Sequence, residues 1–400
     1  MPLPAPRWPQ GHPAEVLRVA LRLGLTSFGG PIAHLGYFER VYVRERGWLS
    51  AEQYAALVAL CQVLPGPTSS QVGFLIGLQR AGWRGALLAW VGFTLPSALL
   101  LYACARLATH VQGPLADATV HGLKLVAVAV VAQAVWSMAR RLCTDTGTAL
   151  IAVCAAVLLL ASSNSGAQLA VLAAGFTAGL VWCRPESVPL LAAQPIVQQR
   201  AAWLALAAFT VLLLALPLLA WRYPHSGIAL AQVFYRAGAL VFGGGHVVLP
   251  LLRAALVPTG WLSDDAFLGG YGLAQAVPGP LFTVSAYLGA SAVPSAPSAG
   301  ALIALVAIFL PGLLLAVAGS SLWTALAQRT RLRAGITGIN AAVVGILAAA
   351  LYNPVWTSAV RDPADVAVAA GALLLLATQR VPPLVVVLLC VAVSIVRSLR

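Results

Sequence analysis

The sequence predicts an all-α polytopic membrane protein made of two inverted-topology repeats, with broken, re-entrant helices around a site near the membrane midplane. Three observations predict it. First, 60% of the 400 residues are hydrophobic and 9% are charged, whereas a soluble domain of this size needs far more charge to cover its surface. The mean hydropathy of +0.89 agrees. Second, apolar runs recur along the chain, at 86–107, 202–220 and 382–396 among others, as membrane-crossing helices require. Third, the chain repeats itself.

Short motifs carry the repeat. Arg22 leads through Phe28-Gly29-Gly30 to His34, and Arg236 leads through Phe242-Gly243-Gly244 to His246. Gly47-Trp48-Leu49-Ser50 is matched by Gly260-Trp261-Leu262-Ser263. Gln62 precedes Pro65-Gly66-Pro67 as Gln275 precedes Pro278-Gly279-Pro280. Pro96 then aligns with Pro311, and Gly122-Leu123-Lys124 with Gly338-Ile339-Asn340. The offset runs from 212 residues (His34 to His246) to 216 (Lys124 to Asn340), and the order never changes.

Each half parses the same way. Residues 1–14 form a Pro-rich polar arm without the apolar core of a signal peptide. In the first repeat, 15–183, two short apolar stretches flank FGG (15–28 and 31–44) and two flank PGP (51–64 and 68–79). These have 12 to 14 residues, and a full crossing needs about 20. They read as hairpins turning near mid-membrane, where broken backbone is tolerated only against protein or a watery cavity. Four longer segments follow, near 83–108, 115–142, 148–161 and 167–183. A linker, 184–228, contains one apolar helix at 202–220, and the second repeat occupies 229–400. If each half crosses an even number of times, that one helix inverts the second half.

The arginines test the inversion. In the first half they lie between segments two and three (Arg40, Arg44, Arg46), four and five (Arg80, Arg84), and six and seven (Arg140, Arg141). In the second half the matching loops carry Arg253, none, and Arg361 offset by Asp362 and Asp365, while Arg329, Arg331 and Arg333 fall between segments five and six and Arg380 between seven and eight. Basic loops that swap sides are what the positive-inside rule requires of inverted repeats. The N-terminus is then cytoplasmic and the C-terminus periplasmic, with Arg397 and Arg400 on the unexpected side. Loop arginines of this kind also account for the net charge of +13, so nucleic acid is not an expected partner. The lipid bilayer is.

Inverted repeats with broken helices place a substrate site where the repeats meet. Pro31 follows FGG and Pro67 closes PGP, so each tip ends one helix and starts another with free N–H groups aimed inward. Helix N-termini in a dry setting bind anions without formal charge. The candidate binding residues are Gly29, Gly30, Gln62, Gly66, Thr68 and Ser69, and in the second half Gly243, Gly244, Gln275, Gly279 and Thr283. Gly245, and not proline, follows the second FGG, so that helix start is weaker. Lys124 is the only lysine in the chain and lies in an apolar segment. A cation there is costly unless paired or functional, and it joins the candidate set with its partner Asn340. Arg22 and Arg236 could attract an anion or simply snorkel to the interface. His34 and His246 are candidates for proton coupling. Trp48 and Trp261 read as interface anchors, and Ser50 with Gln53 as a capping box.

Cys61, Cys104, Cys143, Cys154, Cys183 and Cys390 form no CxxC pair or Cys/His cluster. Neither a metal site nor a disulfide framework is expected, and no cofactor. No phosphate-binding loop, GxSxG or HExxH motif is present, which argues against an ATP-driven pump or an intramembrane hydrolase.

FGGP with its following basic segment, GWLS and PGP, then FGGG, GWLS and PGP again, resemble the chromate ion transporter family in its long two-domain form. The similarity runs from about Glu15 to Val396. It implies a secondary carrier of the bacterial inner membrane that exports chromate and confers chromate resistance, with isosteric sulfate as competitor. Uptake or exchange of sulfate or another small oxyanion is the alternative. A homodimer is left open. Residue chemistry alone leads to a small-oxyanion carrier; chromate comes from the resemblance.

Overall fold

The computed structural model describes residues 11–110, 113–162, 166–183, 196–242, 244–327, 329–378 and 381–399. Helices α1 (Pro13–Thr26) and α2 (Gly30–Phe38) flank the first FGG, and α2 continues as a π-helical stretch, Glu39–Glu45. Pro13 and Pro31 sit in the first turns of α1 and α2, where a missing N–H costs nothing. Helix α3 (Ala51–Val63) starts on a Ser50–Gln53 capping box, as expected. Helix α4 (Thr68–Ala108) is two segments joined at Ala81 and Gly82, where the backbone leaves the helical region. Next come α5 (Pro114–Leu142), α6 (Thr146–Ala161), α7 (Ala167–Trp182) and the linker helix α8 (Gln199–Arg222).

The second half opens with α9 (Gly227–Leu240) and α10 (Val248–Leu256) around the second FGG, then α11 (Asp264–Ala276) and α12 (Val284–Ala292) around the second PGP. In this half α10 and α12 begin through 3-10 turns, Gly245–Val247 after the proline-free FGGG and Leu281–Thr283 directly after Pro280. Then follow α13 (Pro297–Ala327), α14 (Thr330–Ala350), a π-helical turn at Leu351–Trp356, α15 (Thr357–Ala359), α16 (Pro363–Ala377) and α17 (Pro383–Ser398). No strand occurs among the described residues.

Five stretches are long and apolar enough to cross a membrane: α4, α5, α8, α13 with bounds Pro297–Ser321, and Thr330–Ala359. The helices flanking the tips are too short, as their sequence lengths predict. The last two segments of the first half, expected at 148–161 and 167–183, form α6 and α7 of 16 residues each, or about 24 Å against a 30 Å core. Asp145 caps α6, which begins two residues before the expected start, and in the second half Asp362 and Pro363 set the start of α16 and Pro383 that of α17. Leu87, Leu99, Leu150, Leu204, Leu214 and Leu218 point outward, the placement a lipid-facing surface requires. This is an all-α, multi-pass membrane protein.

The halves exchange their last helices. Helix α14 of the second half packs on α6 and α7 of the first, while α5 of the first packs on α16 and α17 of the second. Both contacts are made at the same repeated glycine. A Cβ on Gly122 would lie 2.6 Å from Val391 Cα, and one on Gly338 would collide with the Gly175 carbonyl oxygen. Small residues let these backbones touch, the usual basis of helix association in lipid.

One of the two exchanged contacts is also ionic. Buried Asp365 accepts from Arg397 (2.6 Å), the Arg361 N–H (2.9 Å) and, with His121 as the donor, from its Nε2 (3.0 Å). Arg397 also reaches Asp362 (2.7 Å), which balances the arginine that the positive-inside pattern left out of place. Arg380 and Arg400 lie outside the described residues. Replacing Asp365 with Asn should destabilise the fold by about 1.5–3 kcal/mol, since the Arg361 N–H, His121 and Arg397 lose the charged acceptor they share while Arg397 keeps Asp362. A thermal unfolding midpoint equal to wild type would refute that account.

The two halves run in opposite senses. The Gly11 N–H donates to the Arg80 carbonyl (2.8 Å) and Arg80 lies over the Trp48 ring (5.1 Å), so the start of α1, the first GWLS turn and the bend of α4 share one end. By the same pairing, His225 lies on Trp261 (5.7 Å), and Gly227 faces Ile303, which puts the start of α9 with the start of α13. From there α13 passes Gly66 at Gly312 and then reaches Leu60 and Leu64 of α3 at Gly319, heading for the Trp48 end. The second segment of α4 starts at that end and reaches Gly279 at Ser97. Corresponding helices are therefore antiparallel. Trp48 differs from expectation: it is buried, stacked on Tyr42 at 5.2 Å beneath Arg46 and Arg80, because the ionic cluster around it closes over the ring. Among the cysteines Cys154 is exposed and the others are buried or partly so.

Candidate substrate site at the paired tips

The tips meet crosswise. The Gly66 N–H of the first PGP donates to the carbonyl of Val241, just before the second FGG, at 2.8 Å. The Gly279 N–H of the second PGP donates to the carbonyl of Ser27, just before the first FGG, also at 2.8 Å. Both glycines hold positive φ, 118° and 101°, a region closed to most side chains. Each also lies against the proline-bearing helix of the other half. A Cβ on Gly66 would sit 2.8 Å from Gly312 Cα, next to Pro311, and one on Gly279 would sit 2.8 Å from Ser97 Oγ, next to Pro96. Gln71 Nε2 ties the first junction together, donating to the carbonyls of Pro65 and Gly312 at 2.9 Å each.

Those two glycine amides are engaged by carbonyls, so the donors left near the tips come from elsewhere. The first amides of α4, at Thr68, Ser69 and Ser70, have no acceptor within their own helix. Around them is a nest of uncharged polar groups. His34 Nδ1 lies 3.4 Å from Ser69 Oγ, and the His34 ring meets Phe93 edge-on at 5.4 Å. Ser27, His34, Ser69 and Ser70 are all buried, and Ser27 Oγ, Ser70 Oγ and Thr94 Oγ1 have no hydrogen-bond partner. Buried hydroxyls usually find one. On the other side of the tip, Gly29 and Gly30 have φ of 96° and 80° and start α2, with Gly29 exposed and open space where a Cβ on Gly30 would be.

The second-half tip is built differently. His246 Nδ1 pairs with the Tyr271 hydroxyl at 2.7 Å. Gln275, one turn after Tyr271, has its Nε2 buried without a partner. Thr283 Oγ1 donates to the Pro280 carbonyl at 2.7 Å, and Gly244 lies near Met138. Gly243 lies outside the described residues.

The other sequence candidates lie on α1, α3, α5, α9 and α14. Gln62 is exposed, and Arg22 lies on the exposed face of α1. Arg236 is half-buried in α9, and Asn340 is half-buried in α14 with its Oδ1 unpartnered. Lys124 is buried and pairs with Asp265 at the start of α11. Sequence reasoning missed Ser27, Gln71, Ser97 and Tyr271. Gln71, a polar residue in the apolar helix that leaves PGP, was the one with a readable signal. No group of His, Cys, Asp and Glu able to hold a metal occurs among the described residues.

A duplicated helical membrane protein whose halves are inverted, exchange helices and join through interrupted helix tips has the build of a membrane carrier. The chain belongs to the chromate transporter family, whose signature matches residues 14–181 and again 228–395. It is 28% identical to the chromate transport protein of Pseudomonas aeruginosa over 89% of this chain and 84% of that one. Identity is also 28% to the probable chromate transport protein of Synechococcus elongatus, covering 85% of each, and 27% to the chromate transport protein of Cupriavidus metallidurans, covering 84% and 81%. No solved structure matches.

Proposed function

We propose that this chain is a secondary carrier that exports chromate across the bacterial inner membrane. The observation that carries this reading is the crosswise pairing of the four tips, Gly66 with Val241 and Gly279 with Ser27, in a chain whose relatives are chromate transport proteins. The dianion is held where the tips meet, by the first amides of α4, by Ser69, Thr68 and the Gly29–Gly30 turn, and by Gln275, Thr283 and Gly244 from the other half. Lys124 supplies formal positive charge and Arg22 and Arg236 draw the anion inward. Alternating access follows from rocking of the two repeats, 15–183 and 229–400, about this junction. His34 and His246 are the groups that would couple protons.

The arginine-rich end shared by α1 and the first GWLS turn faces the cytoplasm, with the N-terminus on that side and the C-terminus opposite. Moving a dianion outward is favoured by an inside-negative potential at about 2.3 kcal/mol per charge per 100 mV, so potential or an ion gradient suffices. In everted vesicles, labelled chromate flux should rise several-fold when the potential alone is imposed, and unlabelled sulfate should compete. Flux that ignores both the potential and the pH gradient would sink the coupling. Flux of sulfate without chromate would change the substrate.

A further inference from the structure

The duplicated fold leaves a space in the second half that the first half fills. In the first half, Arg80 lies over the Trp48 ring at 5.1 Å and reaches Glu15 at 3.3 Å, and Arg46 reaches Glu15 at 3.0 Å and Trp48 at 5.6 Å. Repeat positions locate the counterparts. Gly77 and Gly85 touch across the α4 bend as Gly289 and Gly300 touch across the α12–α13 turn. Three residues beyond Gly77 is Arg80; three beyond Gly289 is Ala292. Nine before Gly24, which packs on α4, is Glu15; nine before Gly238, which packs on α13, is Ala229. Arg46 precedes Gly47-Trp48, and Thr259 precedes Gly260-Trp261. All three charged residues are thus replaced by small neutral ones, while the tryptophan is kept.

What remains beside Trp261 is an open cleft of about 580 Å³, walled by His225, Ser226, Trp261, Ala292, Ser295 and Ile303. No Lys, Arg, Asp or Glu lines it. His225, tilted over the Trp261 ring at 5.7 Å, holds a left-handed backbone (φ 57°), which a non-glycine residue rarely does. Helix α12 ends at this cleft, and a helix C-terminus carries partial negative charge. Two opposing poles border the cleft: the start of α9, covered by its own Ser226 hydroxyl, which accepts from the Ala229 N–H at 3.3 Å, and the start of α13, at Ala296, Ala299 and Gly300.

We infer that this cleft binds the ammonium group of an amine-headed phospholipid, phosphatidylethanolamine in kind, which lies against Trp261 where the first half places the Arg80 guanidinium. A cation over an indole face is attracted by the ring quadrupole, and the matching position already holds one. The source is lipid because the cleft opens beside interface anchors at the α8–α9 turn. Trp221 is 85% exposed and Tyr223 is 49% exposed, typical of aromatic rings at headgroup level. Arg222, stacked on Tyr223 at 5.2 Å, stands next door for the lipid phosphate. This inference does not depend on the transported substrate.

The test uses the purified full chain in detergent micelles, with phosphatidylethanolamine, phosphatidylglycerol and free ethanolamine as probes. Retention is read by native mass spectrometry and stability by thermal unfolding. One phosphatidylethanolamine should be retained per chain and should raise the unfolding midpoint, and the other two probes should bind at least tenfold more weakly. Two variants disturb the cleft in opposite ways. Ala229→Glu with Ala292→Arg refills it with the first-half pair, and Trp261→Leu removes the ring face; each should weaken retention about tenfold, while the refilled chain keeps wild-type helicity. Equal binding of phosphatidylglycerol would overturn the cation assignment, and equal binding of free ethanolamine the lipid one. Unchanged retention in either folded variant would overturn the site.

Discussion

Gly66→Val and Gly279→Val should each reduce chromate flux to that of empty vesicles, the largest effect expected of any single replacement. Two costs add. A side chain at φ near 100° is strained by roughly 1–2 kcal/mol, more if β-branched. The new Cβ also arrives within 2.8 Å of the facing helix, at the hydrogen bond that joins one half to the other. The two sites are not equal, and alanine should reveal it. At Gly66 the obstacle is the Cα of Gly312, which is backbone and cannot turn aside. At Gly279 it is the Ser97 hydroxyl, a side-chain end that can rotate. Gly66→Ala should therefore cost more flux than Gly279→Ala, and Ser97→Gly should restore part of the Gly279→Ala loss. Gly30→Ala, with open space around it, should retain most activity and show only the backbone strain. Wild-type flux from Gly66→Ala would mean that the junction is not part of the transport cycle.

These ranks explain what the sequence could and could not disclose. FGG and PGP were legible because each turn constrains its own residues: positive φ selects glycine, and a helix restarting after a break selects proline. The 3-10 turn after the second FGG was not separable on that ground, since one also follows Pro280. Which tips pair was not legible. Val241 and Ser27 contribute only backbone carbonyls, and a carbonyl leaves no trace in residue type. Nor was the exchange of terminal helices legible, although Gly122 and Gly338, the glycines at those contacts, had been aligned. A repeated glycine announces a close contact without naming the partner. The cleft beside Trp261 was hidden for a third reason. Glu15, Arg46 and Arg80 are far apart in sequence, and their joint loss in the second half has meaning only once the fold brings their counterparts together.

Lys124 shows how a residue can be recognised while its partner is not. A sole lysine in an apolar helix had to be paired or functional, and the structure pairs it with Asp265, one of eleven acidic residues and 141 positions away. The burial is lopsided: the lysine side chain is 4% exposed and the aspartate 68%. Asp265→Asn therefore strands a buried ammonium and should destabilise the chain by about 2–3 kcal/mol. Lys124→Gln leaves a carboxylate that water can hydrate and should cost about 1 kcal/mol or less. In Lys124→Met with Asp265→Asn the neutral pair should recover most of the loss. Unfolding midpoints test that order, and flux tests the proposed role in substrate binding independently. If the dianion replaces Asp265 as the partner of Lys124 during transport, Asp265→Asn should lower the chromate KM several-fold and slow turnover, because the competing carboxylate is gone. Lys124→Gln and the double variant should both lose flux while remaining folded. A double variant that carries chromate at the wild-type rate would confine Lys124 to holding α5 against α11, and the anion would then rest on uncharged donors alone.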